Sequence, residues 1–316
     1  VLKKAREIRA AQATGTVVAG KTLVPGRATS PPAAQSAPAP RNTVAQRLNA
    51  RDEIARMANP WHLTEERLAE HRIISQEMAD GRVANAFREL RTKIIQKCQG
   101  YNAIIMVTSV SPGDGASFVA RNLAAAFTFD ESKTALLLDC NLTNPSSFPG
   151  PEGAAAKHDG LTDYLERNSM QVEQIIHPAG LPRFRLIPAG ERREIPAEHF
   201  TSVKMRELLQ NLKQRYPERF IIVDSPSIAE SADARILSEL CDYVLLVIPY
   251  GKVTELQIAT SVKAIGENKL LCTVLNNMPQ LPRLSGKGRL HSWLERIRGL
   301  FRTPLSSSIE RPGSGP

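Results

Sequence analysis

Three short stretches of this chain carry residue types that could hold a phosphate and a cation. The first is Thr108-Ser109-Val110-Ser111-Pro112-Gly113-Asp114-Gly115-Ala116-Ser117-Phe118, a glycine-containing loop that follows an apolar run and leads into an amphipathic segment. Gly113 and Gly115 let successive backbone N–H groups point inward, and the helix that follows adds its positive end. The hydroxyl of Ser117 then stands where a Mg²⁺ ligand is needed. Gly113, Asp114, Gly115, Ala116, Ser117 and Phe118 are therefore the candidate nucleotide contacts. Against the pattern G-x-x-x-x-G-K-[ST], Val110 replaces the first glycine and Ala116 replaces the lysine. A methyl group cannot neutralise a phosphate oxygen, and Gly-x-Gly before a helix also occurs as a plain tight turn. The other two stretches are Leu136-Leu137-Leu138-Asp139 and Ile221-Ile222-Val223-Asp224, each an apolar run closed by a carboxylate. Asp139 and Asp224 at strand ends beside a phosphate loop could hold Mg²⁺ directly or through water. Either one alone could equally be a helix or turn cap.

The elements that must position these groups are legible as a change of period. Between Asn42 and Gln99, Leu63, Leu68, Ile73, Phe87, Leu90, Ile94 and Ile95 recur at helical spacing and predict one apolar face. After residue 102, short apolar runs at 103–107, 135–138, 185–187, 220–223, 243–248 and 271–275 alternate with helical segments at 117–127, 203–215, 233–240 and 254–268. Thr254 and Gln257 form a capping box at the last of these. Continuous apolar runs mark strands buried on both faces, so the expected fold is α/β, doubly wound on a mostly parallel sheet, with its ligand at the carboxyl ends of the strands.

Composition excludes other classes. With 316 residues, 42% of them apolar and 23% charged, the chain can fill a core, and it has neither a glycine period nor a sustained heptad. It also lacks a run of about 18 apolar residues that would span a bilayer. Cys98, Cys140, Cys241 and Cys272 lie far apart and share no ligand spacing with the histidines, which reads as a reduced, cytosolic, metal-free protein. The net charge of +9 divides into +8 over residues 1–51, +5 over 281–316 and −4 between them. Basicity confined to the two ends suits an anionic membrane surface or a polyanion, or serves solubility alone, and it weakens the case for a nucleic-acid partner.

Four segments follow: a disordered basic Ala/Pro-rich tail at 1–42, a helical segment at 43–99, the α/β domain at 100–280 and a basic tail at 281–316. In the last, residues 289–302 predict an amphipathic helix. Leu290, Trp293, Leu294, Ile297 and Phe301 form its apolar stripe, beside Arg289, Arg296 and Arg298. That is the pattern of an in-plane anchor on an anionic membrane, and a stripe packed on the α/β domain or on a partner is the alternative.

Residues 82–279 resemble the bacterial tyrosine-kinase (BY-kinase) family of exopolysaccharide and capsule biosynthesis, especially its exosortase-associated autokinases. The resemblance is carried by Phe87-Arg88-Glu89-Leu90-Arg91-Thr92-Lys93, by the loop at 112–118 and by Asn122-Leu123-Ala124. Further pieces are Leu137-Leu138-Asp139, Gly160-Leu161-Thr162-Asp163-Tyr164-Leu165, Ile187-Pro188-Ala189-Gly190, Val223-Asp224-Ser225-Pro226 and Val274-Leu275-Asn276. It implies a P-loop NTPase fold within the wider group of partition and division-site ATPases. It also implies ATP or ADP with Mg²⁺ at Ser117, Asp139 and Asp224, and an adenine facing Asn276. Self-association through Arg88 and Arg91, a transmembrane chain-length or export protein as partner, and a cytoplasmic place at the inner membrane face are implied as well. The departures fall on the chemistry. Besides Ala116, the family's Asp-x-Asp reads Asp139-Cys140-Asn141, its Glu-x-x-Arg-x-x-Arg reads Asn85, Arg88, Arg91, and the five tyrosines stop at Tyr250. The expectation is a degenerate regulator with residual catalytic carboxylates and weak or absent ATP turnover. Two alternatives stay open: an active autokinase or ATPase with Arg88 or Arg91 of a neighbouring subunit replacing the lysine, and a membrane-associated partition or division-type ATPase.

Overall fold

The computed structural model describes residues 59–278 with Ile54 and Met57, apart from 77, 79–80, 147, 150–157 and 230. The expected tails at 1–42 and 281–316, with Trp293, Leu294, Ile297 and Phe301, lie outside the described residues. The elements run α1 (Glu65–Glu70), α2 (Gly81–Lys97), β1 (Ile104–Ser109), α3 (Ala116–Phe127), β2 (Thr134–Asp139) and α4 (Leu161–Glu166). A 3₁₀ turn (Val172–Ile175) precedes β3 (His177–Pro178), β4 (Phe184–Ile187), α5 (Ala197–Thr201), α6 (Val203–Arg215) and β5 (Arg219–Asp224). Then come α7 (Ala232–Leu240), β6 (Tyr243–Pro249), α8 (Glu255–Ile265) and β7 (Leu270–Asn276).

These strands form one sheet in the order β3-β4-β2-β5-β1-β6-β7. Every pairing is parallel except β3 with β4. Because side chains alternate across a strand, each central run feeds two cores. Ile104 and Met106 of β1 join Leu136, Leu138, Ile221 and Val223 in one layer, covered by Met205, Leu208 and Leu212 of α6. Ile105 and Val107 join Leu137, Phe220 and Ile222 in the other, covered by Phe87 and Ile94 of α2 and the alanine-rich face of α3. Phe127 stacks on Phe220 there with ring centroids 4.2 Å apart, a geometry worth about 0.5–1.5 kcal/mol beyond area burial.

Two expectations need correction. The single apolar face over 42–99 is interrupted: α1 ends at Glu70, and Ile73, although buried, sits in a non-helical connection before α2. That connection is held by Asn122 of α3. Its Oδ1 accepts the Ile74 N–H at 2.8 Å, and its Nδ2 donates to the Arg72 and Phe118 carbonyls, both at 2.9 Å. The last helix ends at Ile265 rather than 268 because Gly266, at φ 86°, terminates it. The short antiparallel β3 and the helices α4 and α5 were not anticipated.

In order along the chain, β1 leads by way of α3 to β2, beyond β5, whereas β5 leads by way of α7 to β6 on the other side of β1. The connections therefore diverge between β1 and β5. The crevice at their carboxyl ends is where ligands bind in such sheets.

Candidate functional site

The loop after β1 closes on itself before it can close on a ligand. The Asp114 carboxylate is buried and accepts the Ser111 N–H at 2.8 Å, so this side chain shapes the turn and leaves ligand contact to the backbone. Gly113 at φ 78° and Gly115 at φ 98° occupy the left-handed region, which costs other residues roughly 1–2 kcal/mol. Gly115 is also the N-cap of α3 and makes no side-chain cap, which leaves the first N–H groups of that helix open to an anion. Gly113, Gly115, Ala116, Ser117 and Phe118 line one cavity of about 620 Å³ together with Asn141, Ser225 and Asp233.

Asn276, expected at the adenine, is placed against the loop. Its Nδ2 donates to the Asp114 carbonyl at 2.9 Å. A Cβ on Gly115 would approach that same nitrogen to 2.1 Å. Gly115→Ala should therefore lower stability by at least about 1–2 kcal/mol, read as a fall in the urea midpoint. Adding Asn276→Ala should restore only the steric share, and an unchanged midpoint in Gly115→Ala would contradict the loop geometry.

Asp139 and Asp224 are register partners at the ends of adjacent strands. Both are buried, and their environments differ. Asp139 accepts the Asn141 N–H at 3.0 Å and the Ser146 N–H and Oγ–H at 2.8 and 2.9 Å, so it organises the turn that follows β2. Asn141 accepts from Thr143 Oγ and the Asn144 N–H in the same turn. Asp224 keeps one oxygen, Oδ1, buried without a hydrogen-bond partner, and is within hydrogen-bonding reach of Ser117. A buried carboxylate oxygen without a hydrogen-bond partner, beside a hydroxyl at the loop, fits direct ligation of a divalent cation, so Ser117 and Asp224 are the residues that could hold one. Burial and the neighbouring Asp139 push the Asp224 carboxyl up to about 8, and burial raises Asp139 as well.

This pair makes the fold sensitive to pH. A carboxyl raised from 3.8 to about 8 contributes stability that is complete below pH 4 and is lost as pH rises through 8. Asp224→Asn should flatten the decline in urea midpoint between pH 5 and 8. An identical slope in the variant would contradict the burial assigned to Asp224.

The expected interaction residues lie away from this crevice on α2. Arg88 donates to Asn85 Oδ1 at 2.8 Å and sits over the Phe129 ring, so the amide at position 85 still orients it. Arg91 donates to the Ala126 carbonyl at 3.0 Å, at the carboxyl end of α3. Both arginines are thus engaged within the chain.

Sequence reasoning missed Arg121. It follows Ser117 by four residues on α3, and its charge acts on both Asp139 and Asp224. The available signal was the i, i+4 spacing from the candidate metal hydroxyl, which puts the two side chains on one helix face.

No protein-family model matches the chain. It is 31% identical over 193 residues to tyrosine-protein kinase YwqD of Bacillus subtilis, covering 60% of this chain and 79% of that protein. It is 30% identical over 184 residues to tyrosine-protein kinase wzc of Salmonella typhimurium, covering 58% of this chain, and it spans only 25% of that longer relative. Among solved structures, the BceF tyrosine kinase domain superposes with a TM-score of 0.52 at 26% identity, covering 62% of this chain and 77% of that one. The kinase domain of Escherichia coli tyrosine kinase ETK shares the fold with a TM-score of 0.56 at 22% identity, covering 71% and 90%. An alignment spread over 79% of a whole tyrosine-protein kinase, together with a parallel sheet whose crevice carries the glycine loop and two strand-end carboxylates, makes this chain a member of the bacterial tyrosine-kinase family.

Proposed function

We propose that this protein binds a nucleotide without transferring its phosphate, and that it regulates exopolysaccharide biosynthesis or export beside a transmembrane partner. The observation that carries the reading is the contrast within one loop. Gly113 and Gly115 keep the left-handed conformations that turn backbone N–H groups toward a phosphate, while position 116, which opens the helix and lines the cavity, carries a methyl group. Backbone donors hold a ground-state phosphate. Phosphoryl transfer additionally needs the migrating charge neutralised as it develops. A divalent cation, when bound, supplies charge to the phosphate oxygens, and Ser117 and Asp224 would hold it.

Within the chain, Asp139 fixes the wall of the cavity through Asn141 and Ser146, and Asp114 fixes the loop. The polysaccharide role comes from the family and is the part furthest from the site. Nucleotide binding is tested directly. ADP at about ten times its dissociation constant should raise the thermal midpoint by about 2–4 °C, with no phosphate released from ATP. An unmoved midpoint at millimolar ADP would refute the nucleotide site, and steady phosphate release abolished by Asp224→Asn would favour an active ATPase.

A further inference from the structure

The cavity that takes in the start of α3 is short of positive charge. Of the described residues that line it, none is a lysine, arginine or histidine, and one is acidic, Asp233. The basic side chains Arg72, Arg82, Lys93 and Arg121 line a separate groove that the loop also borders. Topology brings Asp233 to the cavity. β1 and β5 are adjacent parallel strands, and α3 follows the end of β1 as α7 follows the end of β5, so both helices start at one crevice. The two starts are finished differently. α3 begins at Gly115 without a side-chain cap, so its first N–H groups stay open to an anion. At that end Asp224 also keeps its buried, unpartnered oxygen within reach of Ser117. α7 is capped by Ser231, whose Oγ accepts the Asp233 and Ala234 N–H groups at 3.1 and 3.3 Å and donates to Asp233 Oδ2 at 3.3 Å. This second end is closed by its own side chains and presents a carboxylate. The chain leading to it is fastened to β1. Thr108 Oγ1 donates to the Pro226 carbonyl at 2.6 Å, and the Ile228 N–H donates to the Ser109 carbonyl at 2.9 Å.

We propose that Asp233 is a specificity-determining residue that makes this site prefer a nucleoside diphosphate to the corresponding triphosphate. The inference rests on the nucleotide reading above and names the ligand class of that same site. A divalent cation at Ser117 and Asp224 would serve both nucleotides, so the difference between them falls on the added phosphate. That group brings further negative charge into a cavity lined by no cationic side chain and by one carboxylate. Like charges in a partly enclosed cleft repel more strongly than they do in bulk water. A lysine would draw the terminal phosphate back toward the loop, but position 116 carries a methyl group. Juxtaposed like charges are a general means of rejecting a competing ligand. Helix capping is the purely structural alternative, in which Asp233 stabilises α7 and has no bearing on which nucleotide binds.

The test is calorimetric titration of the full chain, with Mg²⁺ present, by ADP and by a non-hydrolysable ATP analogue with a β,γ-imido bridge. The parent should bind ADP at least about fivefold tighter than the triphosphate. Asp233→Asn keeps the size of the side chain and an acceptor for Ser231 while removing the charge. It should tighten triphosphate binding at least about threefold and move ADP affinity by less than about twofold. Thermal melts establish that the variant is folded before titration, and the parent's own preference is measured without any variant. Capping alone would lower the thermal midpoint of Asp233→Asn and leave the ratio of the two affinities at its parent value, a result that overturns the proposal. Equal or tighter binding of the triphosphate by the parent also overturns it and leaves the nucleotide reading standing. Binding of neither nucleotide refutes the nucleotide reading and the preference with it.

Discussion

Ala116→Lys should tighten nucleotide binding by about 10- to 100-fold. Ala116 is the first residue of α3 and, although largely buried, borders the same cavity as Gly113 and Gly115, so a lysine there would extend from the helix end toward that cavity. The new contact is a charge-assisted hydrogen bond from an ammonium to a phosphate oxygen, worth about 1.5–3 kcal/mol. At 1.4 kcal/mol per tenfold, that range gives the expected factor. The lysine adds a point charge and leaves the backbone cradle unchanged, so the gain should be larger for ATP and ADP than for adenosine. Equal affinity in parent and variant would mean that the loop does not hold phosphate in the geometry assigned to it.

The purified chain should show no tyrosine autophosphorylation with Mg-ATP. Loss of one charged or hydrogen-bonding stabiliser of a transition state costs about 10²–10³ in rate, and here the loop carries Ala116 at the lysine place of the P-loop pattern and Asn141 where the resemblance implies a second carboxylate. The acceptors are also unfavourable. None of the five tyrosines is exposed. Tyr164 is buried beneath Lys204, and Tyr216 lies against the Arg219 guanidinium 3.7 Å from its ring centroid. A phosphotyrosine signal in a mass spectrum, present in the parent and lost in Asp224→Asn, would contradict this and establish an active kinase. The double variant Ala116→Lys with Asn141→Asp should raise any ATPase turnover above that of either single change, because both restored groups act on the same developing charge.

Much of the frame was legible because it rests on burial. The runs ending at Asp139 and Asp224 are apolar on both faces only if helices cover both sides of the sheet, and the structure pairs them in register at the crevice. The capping box at Thr254 and Gln257 also forms as its spacing predicts. What stayed hidden depends on tertiary contacts with no local period. Ile73 shares the spacing of its helical neighbours, yet Asn122, 48 residues away from Ile74, holds that connection through hydrogen bonds from its side-chain amide to the backbone. The two-residue β3 is too short to show an alternation. In the site, Asn276 faces the loop carbonyl of Asp114 because β7 ends level with the tip of β6, a register that no sequence pattern encodes. Arg121 was overlooked for a similar reason. Its meaning depends on two carboxylates that arrive from other strands, and a lone arginine on a helix reads as surface charge.

That the glycine loop after β1 holds a nucleotide phosphate is tested most directly by calorimetric titration of the full chain with ADP. One saturable site per chain is predicted, weakened by Gly115→Ala and strengthened by Ala116→Lys. No heat of binding at millimolar ADP in the parent, or a site indifferent to both substitutions, would contradict it.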